Sequence, residues 1–263
     1  MVINLFNYFS SFNPIFLAFL GGIFSFVFTI LGASIVFFFK RVNTRLMNAM
    51  LSISAGVMTA ASFFSLINPA VDICQKYNQS FFITVVFGFI CGSFFIYLGN
   101  IIFDKIKIFT KSTIKKCLIL FASITLHNIP EGIAIGVAFG NILYGSSLIA
   151  AFSLTLGIAI QNFPEGSAIS LPLRRYGVSR TKSFAFSILS GIVEPIFAVI
   201  GALLVLKINY ILSFILSFAA SAMLYVTVIE LIPESQSDEK KDLMALLFIF
   251  GFIIMMILDV MLG

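Results

Sequence analysis

Two short motifs place ionisable and amide side chains inside stretches that are otherwise apolar. They read HNIPEG at 127–132 and QNFPEG at 161–166. Each combines a carboxylate, an amide and one further nitrogen or oxygen donor. A charged group at the centre of a bilayer costs about 2.5–3.5 kcal/mol on insertion scales, so its presence there indicates a function. Two near copies predict that a polar ligand binds between these segments.

The spacing within each motif groups its side chains on one arc of a helix. At about 100° per residue, Glu131 projects between His127 and Asn128. A carboxylate between two donors can bridge two adjacent cations. With Glu194, halfway along a later apolar stretch, the motifs predict a site of two compartments. One compartment contains His127, Glu131, Gln161 and Glu165, and the other contains Asn128, Glu131, Asn162, Glu165 and Glu194.

The chemistry of this donor set favours a cation. Three carboxylates, one imidazole and three amides form an anionic pocket without Lys or Arg. One histidine among oxygen donors suits borderline divalent metals such as Zn, Fe, Mn, Co or Cd. A pocket of oxygen donors alone would favour Ca or Mg instead.

The composition places these motifs in a membrane. Of 263 residues, 60% are hydrophobic and 10% are charged, whereas soluble domains carry about 25% charged residues. The apolar stretches, each long enough to cross roughly 30 Å of hydrocarbon, predict an all-α integral membrane protein with eight transmembrane helices in one domain over residues 1–263. They cover about 15–39, 46–69, 81–102, 117–140, 147–172, 183–206, 209–232 and 243–262.

The net charge of +5 follows membrane topology and does not indicate nucleic-acid binding. All basic residues except Lys76 and Lys207 fall in the odd-numbered loops. The positive-inside rule makes those loops cytoplasmic, which predicts both termini outside. The residues concerned are Lys40, Arg41, Arg45, Lys105, Lys107, Lys111, Lys115, Lys116, Arg174, Arg175, Arg180, Lys182, Lys240 and Lys241.

The prolines of the two motifs predict that the fourth and fifth helices are broken. Pro130 and Pro164 each remove a backbone hydrogen bond, and a freed carbonyl in lipid needs protein, water or an ion beside it. Gly132 and Gly166 allow close backbone approach. A matched pair of Pro-broken helices, running in opposite directions, predicts an inverted-repeat transporter bundle.

The motif pair, together with SGIVEP at 190–195, GVMTAAS at 56–62 and ELIPES at 230–235, resembles the ZIP (Zrt/Irt-like) divalent-metal transporters, and above all the bacterial GufA-like branch. The resemblance implies a binuclear metal site that adds Met58 to the first compartment. It also implies a homodimer in which helices 1, 4, 5 and 6 move against helices 2, 3, 7 and 8. Such a protein is not an enzyme and holds no cofactor besides the transported ion.

The chain departs from the pattern of that family at three places. Asn162 stands where related members often have Asp, which predicts weaker binding of a second metal. Ile229 stands where they often have His, so Glu230, a possible cytoplasmic exit site, lacks an imidazole neighbour. The lysine-rich loop at 103–116 contains no histidine run.

Several functions are compatible with these residues. The leading hypothesis is an importer of divalent metal, above all zinc, moving ions toward the cytoplasm by alternating access. The alternatives are a broad-specificity Fe, Mn, Cd or Co transporter, a proton or monovalent-cation pathway, and an intramembrane metalloenzyme. The last lacks HExxH and has a single histidine, which is poor for catalytic zinc. The abundance of Phe, Ile and Lys favours a bacterial source, and hence a multi-pass protein of the bacterial cytoplasmic (inner) membrane in contact with the lipid bilayer.

Overall fold

Helices account for all regular secondary structure in the part of the chain that the computed structural model describes. That part comprises residues 12–38, 44–107, 113–175, 177–207, 211–236 and 240–262. We label the principal helices α1 (Pro14–Phe38), α2 (Thr44–Lys76), α3 (Phe87–Lys107), α4 (Thr113–Gly140), α5 (Leu148–Arg175), α6 (Arg180–Val205), α7 (Leu212–Ser235) and α8 (Lys241–Leu262).

Seven of these helices are long and apolar enough to cross a membrane, judged over the described residues. The helix α4, which carries the first motif and spans 28 residues, is not among them. The all-helical, multi-pass architecture is therefore confirmed. The count of eight spans, the position of the termini and the inverted repeat stay predictions.

The prediction that α4 and α5 are broken at their prolines was wrong. Both helices run without interruption through Pro130 and Pro164. A proline removes only its own N–H donor, and the neighbouring hydrogen bonds of the ladder hold each helix together. An interruption occurs instead in α6 at Ile192, just before Pro195, where the helix divides into a first segment, Arg180–Gly191, and a second segment that begins at Val193. Glu194 lies in the first turn after this interruption.

Three π-helical segments occur in the described residues. The helix α2 contains one over Ser62–Ile67, α7 contains one over Thr227–Leu231, and a third, Phe82–Val86, leads directly into α3. Such segments are rare and occur often at functional sites. The α7 segment carries Glu230, so the proposed exit residue lies where the helix widens.

Packing divides the helices into two groups. The helix α1 packs mainly on α5 and on α6, and α4 packs on the second half of α6. In the other group, α2 packs on α8 and α3 packs on α7. The groups meet where α2 contacts α5 and where α7 contacts α4. The two motifs therefore lie in one group, next to the boundary with the other.

Glycines allow the helices of the first group to pack backbone against backbone. A Cβ atom on Gly132 would lie 2.6 Å from the carbonyl oxygen of Glu194, which is too close for any real side chain. A Cβ on Gly166 would collide with the carbonyl oxygen of Thr29. The predicted close approach at both glycines is confirmed, and it brings α6 against α4 and α1 against α5 at the level of the motifs.

Candidate functional site

A hydrogen bond joins the two motifs directly. Gln161 on α5 donates from Nε2 to Oε1 of Glu131 on α4, at 2.6 Å. Both residues are fully buried. The second oxygen of Glu131, Oε2, and the amide oxygen of Gln161, Oε1, have no hydrogen-bond donor among the described residues. Two acceptor oxygens on neighbouring side chains are thus buried without a hydrogen-bond donor among the described residues.

The neighbouring cluster centres on Glu194 of α6. Asn162 donates from Nδ2 to Glu194 Oε2 and to the hydroxyl oxygen of Ser25 on α1, both at 2.7 Å. Thr29, also on α1, donates to Glu194 Oε1 at 3.2 Å, and Ser25 lies within hydrogen-bonding reach of the same carboxylate. Both oxygens of Glu194 therefore accept hydrogen bonds, whereas Oδ1 of Asn162 has no donor in the described part of the chain.

Two more polar contacts tie the site to its surroundings. Asn128 donates from Nδ2 to the backbone carbonyl of Ser190, at 2.8 Å, which fixes α4 against α6 just before the interruption of that helix. The hydroxyl of Ser54 on α2 lies 3.3 Å from Oε1 of Glu165 and 3.4 Å from the carbonyl oxygen of Gln161. Ser54 therefore reaches the site from the other group of helices.

The three glutamates lie close enough for their charges to interact. Ionised Glu131 would be repelled by ionised Glu165 and Glu194, and Glu165 and Glu194 would repel each other as well. None of the three is more than 6% exposed. Like charges this deeply buried repel one another at low effective dielectric. A cation placed between them would remove that repulsion.

The carboxylates and cysteines whose side chains are described do not form a complete metal site by themselves. In the ranges where side chains are described, no three of them lie so that they could hold a metal ion. The side chain of His127 lies outside the described residues. Any metal bound here thus requires amide oxygens, such as those of Gln161 and Asn162, or the imidazole of His127.

The remaining predicted residues differ in how deeply their side chains are buried. Met58 is fully buried on α2, one helical turn after Ser54, so both occupy the same face of that helix. Its side chain belongs to the central apolar cluster. Glu230 is half-buried on α7.

Three hydroxyl residues of the site were missed by reasoning from the sequence. Ser25, Thr29 and Ser54 are each at most 2% exposed, and each contacts a motif residue or Glu194. A weak signal was available for the first two, because residues four apart share one face of a helix. Isolated hydroxyls are common in membrane helices, so this spacing was too weak to separate these residues from the other hydroxyl residues of the chain.

Comparisons with known proteins identify the family of this chain. The family model described as ZIP Zinc transporter matches residues 104–259, more than half of the chain. The chain is 33% identical to Zinc transporter ZIP11 of Xenopus tropicalis, over 96% of this chain and 99% of that protein. It is 39% identical to Zinc transporter GufA of Myxococcus xanthus over 56% of each chain. It is also 30% identical to Zinc transporter ZIPB of Bordetella bronchiseptica, over 94% of this chain and 81% of the relative.

These relatives are transporters and not enzymes, in agreement with a buried polar site built from the side chains of membrane-length helices. The resemblance inferred from HNIPEG and QNFPEG is therefore confirmed over nearly the whole length of the chain. This protein belongs to the ZIP family of metal transporters.

Proposed function

We propose that this protein imports divalent metal ions, zinc foremost, toward the cytoplasm by alternating access through the buried site. The ligands of the first compartment are Met58, His127, Glu131, Gln161 and Glu165. Those of the second are Asn128, Asn162 and Glu194, with Glu131 and Glu165 shared by the two. Two adjacent compartments leave places for two ions.

One observation carries this proposal. Oε2 of Glu131, Oε1 of Gln161 and Oδ1 of Asn162 are buried acceptors without a donor among the described residues. An unsatisfied buried acceptor costs about 1–3 kcal/mol, and three of them among the motif residues are unusual for a protein interior. Bound cations would satisfy Glu131 Oε2 and Gln161 Oε1 in the first compartment and Asn162 Oδ1 in the second, and zinc accepts oxygen and nitrogen ligands alike.

A cavity supports the proposed direction of entry. It has a volume of about 360 Å³ and opens near the end of α2 and the connection between α4 and α5, on the side that the charge distribution makes external. Asp72, Asp259 and Asn68 are among its lining residues, and Val137, Leu154 and Leu216 contribute apolar surface. Val137 is six residues beyond Glu131 on α4, about 9 Å along a helix. Apolar side chains therefore separate the cavity from the site.

The two groups of helices supply the elements that alternating access needs. The motifs and Glu194 belong to the group of α1, α4, α5 and α6, whereas Ser54 and Met58 belong to α2 in the other group. Sliding or rocking of the first group would change which side of the membrane the site faces. The proposal also includes a location in the bacterial cytoplasmic membrane and assembly as a homodimer. Glu230 is proposed as the site from which the metal leaves toward the cytoplasm.

Uptake of radiolabelled zinc into proteoliposomes tests this function. We expect accumulation that saturates with zinc concentration and that falls to the background of protein-free liposomes in Glu131→Ala. Proton or sodium flux without zinc, measured in the same vesicles with a fluorescent dye, would favour the alternative of a monovalent-cation pathway. Absence of zinc accumulation in wild-type vesicles of verified orientation would overturn the proposal.

A further inference from the structure

Both oxygens of the Glu194 carboxylate already accept hydrogen bonds. Oε2 accepts from the Asn162 amide at 2.7 Å and Oε1 accepts from the Thr29 hydroxyl at 3.2 Å. Ser25 is the other acceptor of the Asn162 amide, at 2.7 Å, and is also within reach of Glu194. All four side chains are at most 2% exposed. These hydrogen bonds are therefore shielded from bulk solvent in this structure.

We propose that Ser25 and Thr29, the α1 hydroxyl pair, are positioning residues that keep the second compartment weaker for metal than the first. This inference rests on the proposed function, since it concerns the same site. An ion entering the second compartment has to compete for Glu194 with the hydroxyl and the amide that already donate to its two oxygens. An ion entering the first compartment can bind Glu131 Oε2 and Gln161 Oε1 without breaking a hydrogen bond described in this structure.

The orientation of Asn162 adds to this difference. Its two N–H donors are both used, one by Ser25 and one by Glu194. If the amide rotated to offer a different atom, its oxygen would face the Glu194 carboxylate and two acceptors would repel. Asn162 therefore keeps only Oδ1 for a metal, and the geometry around Glu194 holds it in that orientation. The α1 hydroxyl pair thus acts through Glu194 and Asn162 and need not contact the ion.

Metal titration of the full-length protein in lipid nanodiscs tests the proposal. Binding of zinc alone is followed by equilibrium dialysis with radiolabelled zinc, which counts the ions bound at each free concentration. For the wild type we expect two phases of one ion each, the second at least about tenfold weaker. In Thr29→Val, which keeps the shape and removes the hydroxyl, we expect the second phase to tighten by about tenfold, because hydrogen bonds to charged groups are among the strong ones.

A matched control and a second variant make the result specific. Thr155→Val removes a hydroxyl that is equally buried on α5 but bonds only the carbonyl of Ala151 in its own helix, at 2.7 Å. We expect both of its phases to equal those of the wild type. Ser25→Ala should tighten the second phase as Thr29→Val does, which covers the case in which one variant fails to fold.

The outcomes separate this inference from the function on which it rests. Equal affinity of both ions in the wild type would overturn it, as would a second phase that is unchanged or weaker in both variants. A single ion bound at saturation in every variant would overturn it as well, because Glu194 would then lie outside any metal compartment. A wild-type protein that binds no zinc would instead overturn the proposed function.

Discussion

The two proposed compartments both draw on the two near-copy motifs, yet their carboxylates Glu131 and Glu194 have different surroundings. In the first, Glu131 accepts one amide hydrogen bond and keeps an oxygen without a donor among the described residues. In the second, Glu194 accepts hydrogen bonds on both oxygens. The Gln161 amide donates to one oxygen of Glu131, whereas Asn162 and a hydroxyl of α1 donate to the two oxygens of Glu194.

The difference arises from the helices behind each compartment and not from the motifs themselves. The motifs supply a carboxylate and an amide to each compartment, but the extra donors of the second come from α1, more than 130 residues away from Asn162 and Glu194. The tests below remove or sharpen this asymmetry, beginning with the largest expected effect.

Removal of a carboxylate that is proposed to bridge both ions should abolish zinc transport, and with it any difference between the two compartments. We expect Glu131→Ala and Glu165→Ala each to reduce zinc uptake into proteoliposomes to background, because each side chain is proposed to bridge both ions. Glu234→Ala, which removes an exposed carboxylate on α7, is the control and should transport normally. Uptake near the wild-type rate in either bridging variant would contradict the assignment.

Neutralising Glu131 and Glu194 in separate variants should reveal which compartment binds the first ion. We expect Glu131→Gln to weaken the first binding phase by on the order of a hundredfold, since a unit charge about 4 Å from another is worth about 4 kcal/mol at an effective dielectric of about 20, before desolvation. Glu194→Gln should weaken that phase by less than about tenfold, since its oxygens are held by other partners. Zinc dialysis measures both, and equal losses would argue against unequal compartments.

A carboxylate at position 162 should make the compartments more alike. In Asn162→Asp an oxygen replaces the N–H donor that now lies 2.7 Å from Glu194, and the two carboxylates repel until an ion lies between them. We expect the second zinc ion to bind at least about tenfold more tightly by calorimetry, with turnover equal to the parent or lower. Asn68→Asp, at the rim of the outer cavity, controls for added charge alone. Unchanged affinity would place residue 162 outside the coordination of the metal.

Loss of the imidazole should have the smallest effect and should depend on the metal. His127 is the one nitrogen ligand predicted for the first compartment, and imidazole favours zinc over manganese. We expect His127→Ala to lower zinc uptake several-fold more than manganese uptake. Thr125→Val, which removes a hydroxyl that bonds only the Phe121 carbonyl in the same helix at 2.7 Å, serves as the control. Equal losses for both metals would indicate that His127 orients α4 and does not select the ion.

Reasoning from the sequence reached the helical fold, the family and the residues of the motifs, since each depends on local information. The positions of the helix interruptions were not reached. Pro130 and Pro164 carry the same local signal as Pro195, yet only α6 is interrupted near its proline, at Ile192. Whether a helix divides depends on the packing around the missing hydrogen bond, which a single segment does not encode.

The sequence by itself determined that this chain lies in a membrane and that it carries carboxylates and amides in two matched motifs, because hydrophobicity and helical spacing act over a few neighbouring residues. Only the tertiary structure decided which donors each carboxylate receives. Gly166 lets the backbone of α1 approach α5, and that approach delivers Ser25 and Thr29 to Asn162 and Glu194. Hydrogen bonds between residues so distant in sequence depend on helix packing, and helix packing gives Glu131 and Glu194 different hydrogen-bond partners.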